Sequence, residues 1–223
     1  MNGVIGDILP LALGVAISPV PIIAAILMLL SPKARGTSVG FLAGWVLGIV
    51  VAVVVFTLLA SVLPQSEDDA SKPIAGTVKI VLGLLLLLLA AKQWRSRPTG
   101  DTEPPLPGWM AAIDTMTAAR ALVLGFLLSA VNPKNLLMAA AAGVAIGSAD
   151  LSLNGSVVAV AVFTLIAAST VAVPVIAYLL ASAKMAAPLD SLRTWLVHNN
   201  STVMAVLLLV IGVVLVGKGI SSF

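Results

Sequence analysis

Residues 129–135 read Ser-Ala-Val-Asn-Pro-Lys-Asn, SAVNPKN, and they interrupt the apolar run Ala119–Gly147. Proline removes a backbone N–H and clashes with the preceding turn, so Pro133 frees carbonyls in any helix that contains it. In lipid, freed groups need partners from protein or from water in a cavity. A lysine at the centre of a membrane helix costs about 2.5–3.5 kcal/mol on insertion scales. The stretch therefore predicts a broken span lining something polar. Ser129, Asn132 and Asn135 offer hydrogen bonds there, and Lys134 offers a cation.

The rest of the chain fits a membrane setting. Of 223 residues, 60% are hydrophobic and 9% charged, and the mean hydropathy is +1.16. Soluble domains are about 45–50% apolar and about a quarter charged. Cysteine is absent, which excludes thiol redox chemistry, thiolate metal sites and disulfides. No basic, aromatic-rich patch for nucleic acid is present. The first apolar run has no Lys or Arg before it and is too long for a signal peptide, so it reads as a retained helix.

A span needs about 20 apolar residues. Six runs qualify: Val4–Leu30, Ser38–Leu63, Ile74–Ala91, Ala119–Gly147, Gly155–Ala181 and Thr202–Val216. With both termini outside, Lys33, Arg35, Lys92, Arg95, Arg97, Arg120, Lys184 and Arg193 fall on the inner face, while Lys72, Lys79 and Lys218 stay outside. Glu67, Asp68 and Asp69 then follow run two on the outer side, and Asp150 follows run four. The positive-inside rule gives N-out, C-out in the cytoplasmic membrane. A re-entrant hairpin at each broken run is the rival arrangement, and the charge pattern disfavours it.

Leu11–Val20 can be laid over Leu122–Val131. The shared pattern is L-x-L-G-x-x-x-S-x-V, with Pro21 and Pro133 following one residue out of step. Three spans per half make such a repeat inverted. Interrupted segments at corresponding positions then point to a transporter site near the bilayer midplane. The expected fold is an all-α integral membrane domain over residues 1–223, with six spans in two inverted three-helix repeats. The first repeat is 1–92, a cytoplasmic linker with an interfacial helix is 93–118, and the second repeat is 119–223. Helices one and four are broken by proline. The candidate substrate site comprises Ser18, Pro19 and Pro21 from the first break, and Ser129, Asn132, Pro133, Lys134 and Asn135 from the second. Three readings of Lys134 stay open: it meets an anionic group in a polar cavity, it snorkels to the outer interface, or it binds the freed carbonyls. Pro19 and Pro21 also read as a packing kink, and Pro174 reads as no more than that.

In the linker, Pro98, Pro104, Pro105 and Pro107 read as a tether. Trp109, Ile113 and Met116 share one helical face, as an interfacial helix would place them, with loop packing as the alternative. Pro188–His198 reads similarly, with Leu189, Leu192 and Leu196 on one face. His198 is the only histidine, too few for a zinc site. Gly36, Gly40, Gly44 and Gly48 form a small-residue stripe suited to internal helix packing or to a homodimer seam.

The motifs A16-I-S-P-V-P21, S31-P-K-A-R-G36 and N132-P-K134, with the glycine-rich start of span two, are similar to those of a known family. The chain resembles the actinobacterial GAP family, the glycopeptidolipid- and sulfolipid-addressing proteins, within the LysE-like superfamily of six-span exporters. The resemblance implies a role in moving cell-envelope glycolipids outward, with the two breaks as the site. The absence of an intramembrane Asp or Glu departs from proton-relay logic. Three functions are open: a translocase for an anionic amphiphile, a LysE-type exporter of amino acids or ions, and a non-transporting subunit of an envelope-lipid synthase or pump complex. One histidine, no cysteine and no acid at depth speak against an enzyme. No cofactor is expected.

Overall fold

A computed structural model of the protein describes residues 1–62, 71–97 and 108–222. All regular structure among them is helical. The helices are α1 (Asn2–Ala16), α2 (Pro19–Leu29), α3 (Ala34–Val62), α4 (Ser71–Arg95), a 3-10 helix (Gly108–Thr115), α5 (Ala118–Ala130), α6 (Pro133–Gly147) and α7 (Leu153–Ile220). Glu67–Asp69, Pro98, Pro104, Pro105 and Pro107 lie outside the described residues, as do the side chains of Lys72 and Trp109.

Four helical stretches are long and apolar enough to cross a membrane: Ala34–Val62, Gly76–Arg95, Leu153–Ser182 and Lys184–Ile220. The last two are limbs of α7, separated by non-helical backbone at Ala181 (φ −146°, ψ 51°). Counting each bent pair α1–α2 and α5–α6 as one span raises the number to six. The pairs bend by 51° and 62° respectively.

Both bends have the same local cause. Pro19 and Pro133 each sit at the start of a new helix, where the missing N–H costs nothing and the fixed φ suits the helix. Ser18 and Asn132 precede them in extended conformation, as a residue before proline prefers. The prolines are thus helix starters rather than kinks in a continuous helix. The structural counterpart of Pro133 is therefore Pro19, not Pro21, and that of Asn132 is Ser18. The sequence match paired Ser18 with Ser129, three residues away and nearly one helical turn out. In the second half the shared Gly125 and Ser129 lie on the turn before the break and serve packing, whereas in the first half Ser18 is itself the cap. Pro174 sits inside α7 without disturbing its helical dihedrals.

Packing runs along glycines. A Cβ on Gly40 would meet the backbone of Ala118, one on Gly44 that of Leu122, and one on Gly48 would meet Phe126 and Ser129. Further along, Gly143 faces Phe56 and Thr57, and Gly147 faces Thr57 and Ala60. Positions thus advance together on α3 and on the α5–α6 pair, so the bent pair travels the length of α3 in one direction rather than turning back. The first limb of α7 accompanies α1–α2 in the same sense. Gly155 meets Met1, Thr170 bonds Ala16, and Tyr178 and Ser182 flank Ser31–Thr37. The second limb runs antiparallel to α4, with Gly83 against Gly212 and Gly219 against Ile80. The Gly40–Gly48 stripe is filled by α5 of the same chain. Internal helix packing, one of the two readings of that stripe, accounts for Gly40, Gly44 and Gly48.

Two other segments fit into the same bundle. The segment after Pro107 is a 3-10 helix whose Met110 and Ile113 are buried. It packs on α2. Pro188–His198 is not a separate interfacial helix; it continues into the second limb of α7, with Leu189 and Leu196 buried and Leu192 exposed. Exposed His198 has no metal-ligating cluster around it among the described residues.

Lys218 Nζ pairs with Asp7 Oδ1 at 2.6 Å, bringing the start of α1 to the end of α7. Both side chains are partly exposed, so screening limits the pair. Asp7→Asn is expected to change stability by less than about 1 kcal/mol, read as a small shift in a detergent thermal melt.

Candidate binding site at the two helix breaks

Each break frees a carbonyl one turn before its cap. At the first, the Ser18 N–H turns back to Ala16 O at 2.8 Å, and Gly14 O needs another donor. Lys134 Nζ supplies it at 2.6 Å and also reaches Ile17 O at 3.3 Å. At the second, Leu128 O accepts from Asn135 Nδ2 at 2.9 Å. The Ser18 hydroxyl joins the two arms: it accepts from Lys134 Nζ and donates to Asn135 Oδ1. Asn132 Oδ1 caps its own helix by accepting from the Lys134 N–H at 3.1 Å. The first turn of α6 therefore holds both broken helices together. Thr170 Oγ1 adds a brace from α7 by donating to Ala16 O.

Lys134 is 4% exposed and aims at α1, which contradicts snorkelling. Its ammonium has three N–H groups, and Gly14 O, Ile17 O and Ser18 Oγ take all three. The carbonyl-binding reading is the one the geometry supports. An anion at this ammonium would have to displace an existing partner.

A pocket of about 290 Å³ lies against this clamp. Ser18, Pro19, Pro21, Asn132, Pro133 and Lys134 form one wall. Lys92 and Gln93 of α4 and Asn200 of α7 face them. Asn135 stands behind the wall, buried and engaged with Ser18. Ser129 is not part of the site: its hydroxyl donates to carbonyls of its own helix, Gly125 O or Phe126 O, and packs beside Gly48.

The pocket adjoins a second hollow of about 380 Å³ between α4 and α6. Leu85, Leu88, Leu136 and Leu137 line it, and the two hollows share Leu89, Lys92 and Pro133. Leu88 is 67% exposed on the outside of the bundle, so this groove opens sideways, toward lipid in a membrane.

The model of one family, described as Sap, sulfolipid-1-addressing protein (SfLAP), matches residues 8–221. The chain belongs to that family. The match agrees with the addressing-protein resemblance and takes in every residue of both breaks. No curated protein and no solved structure matches the chain. With its several apolar helices, this SfLAP member is a multi-pass membrane protein.

Sequence reading missed Gln93, Asn200, Thr170 and the groove, and counted Lys92 only as part of a basic loop serving topology, lipid attraction or partner docking. The leucine run Leu84–Leu89 is apolar on every face, so no periodicity marks which side meets a ligand.

Proposed function

We propose that this protein is a transporter of the cytoplasmic membrane that moves an anionic amphiphile outward, in the class of envelope glycolipids or their intermediates. The sulfolipid in its family's name is one such molecule. The polar pocket joined to a lateral apolar groove carries this reading. An amphiphile needs a polar site for its head and an apolar exit for its chains, and each buried CH₂ favours the apolar site by about 0.8 kcal/mol. The lateral groove between α4 and α6 favours this reading over a LysE-type small-solute exporter, which needs a sealed aqueous path. A scaffolding subunit has no use for either hollow.

The same packing supports six spans in two inverted repeats. In each half the second span runs beside the broken span of the other half, and the third spans pair antiparallel. That is the relation a pseudo-two-fold axis in the membrane plane imposes. The Asp7–Lys218 pair supports an arrangement with both ends of the chain on one side, and the positive-inside rule favours the external side. On that topology the pocket mouth at Lys92, Gln93 and Asn200 faces the cytoplasm, where a lipid precursor would load.

Native mass spectrometry of gently extracted protein tests the function. Retained anionic lipid or glycolipid is the expected result. Bare protein under the mildest activation, together with amino-acid efflux from reconstituted vesicles, overturns it in favour of small-solute export.

A further inference from the structure

We infer that Lys92, not Lys134, is the cation that binds the anionic headgroup, and that the α4–α6 groove is the port through which the acyl chain leaves the pocket. This rests on the amphiphile reading above. The observation behind it is a division of labour between the two lysines nearest the breaks. The three N–H groups of Lys134 are all taken by protein acceptors. Lys92 is exposed, and its side chain makes no hydrogen bond or ion pair among the described residues.

Its position is the second argument. Lys92 lines the polar pocket, the apolar groove and a third hollow with Arg95 and Ser96 at the basic end of α4. A cation on that shared rim reaches an anion in the pocket while the chain lies across Leu89 and Pro133 toward Leu88 and Leu136. Across the pocket stands Asn200, whose Oδ1 is buried without a partner among the described residues.

The rival explanation is general attraction of anionic lipid to a basic surface, about 1 kcal/mol for each basic residue. Arg97 separates the two. It stacks on Trp94 at 3.9 Å and lines none of these three hollows.

The test is native mass spectrometry of the purified full chain titrated with dioleoyl phosphatidylglycerol or dioleoyl phosphatidylcholine, which share their chains. Lys92→Gln is expected to lower phosphatidylglycerol retention at least tenfold with little effect on phosphatidylcholine, Lys92→Arg to restore it, and Arg97→Gln to leave it unchanged. Leu136→Trp, which narrows the groove, is expected to lower retention of both lipids. Wild-type melting midpoints in the variants establish that they fold. If Lys92→Gln binds phosphatidylglycerol like wild type, or loses both lipids equally, or is matched by Arg97→Gln, the headgroup assignment fails and the amphiphile function stands. Unchanged binding by Leu136→Trp overturns the port. A wild-type chain that retains neither lipid overturns the function itself.

Discussion

Gly44→Val is expected to destabilise the protein by at least about 3 kcal/mol, and a detergent-solubilised sample should melt far below wild type or fail to fold. A Cβ at this position would lie 2.7 Å from the carbonyl carbon of Leu122 and 3.0 Å from its Cα. The obstacle is backbone, which cannot rotate away, so α3 and α5 must separate along their shared length. Overpacking a core costs about 1–3 kcal/mol where side chains can adjust, and more where they cannot. Gly36→Val is the control, because its Cβ would stand 4.0 Å from Ala118 Cβ with nothing nearer. It should cost about 1 kcal/mol or less. Size-exclusion chromatography distinguishes this from a dimer seam: loss of a seam would yield a folded, smaller species, whereas loss of internal packing yields none.

Lys134→Met is the second large effect. The substitution keeps length and apolar stem and removes the ammonium that binds Gly14 O, Ile17 O and Ser18 Oγ. A buried acceptor left without a partner costs about 1–3 kcal/mol, and two carbonyls are affected. Removing the cation also recovers its dehydration penalty, so a net loss of about 2 kcal/mol is expected. The melting midpoint should fall even with no lipid present. A Lys134→Met protein as stable as wild type, but blind to anionic lipid, would instead make Lys134 a headgroup ligand.

The breaks themselves were legible because their chemistry is local. Ser18-Pro19 and Asn132-Pro133 each combine an extended residue with a proline, a pair well suited to starting a helix. The alignment of the two halves was legible only to within a turn. Gly14 with Gly125 and Ser18 with Ser129 matched as letters, yet the breaks superpose three residues further on. The role of Lys134 could not be read from its own neighbours, since its partners are more than 110 residues away in sequence. The groove was hidden for a different reason. In a membrane span both the lipid face and the packed face are leucine, so Leu86, fully buried, and Leu88, exposed, look alike. Only the packing of α4 beside α6 separates them.

Movement of a labelled anionic lipid in proteoliposomes tests translocation most directly. Fluorescent phosphatidylglycerol is placed in one leaflet, and its appearance in the other is timed. Wild-type protein should speed crossing well above protein-free vesicles, with Leu136→Trp returning the rate to background. A wild-type rate equal to that of empty vesicles would contradict a translocase working through the two breaks and the groove beside them.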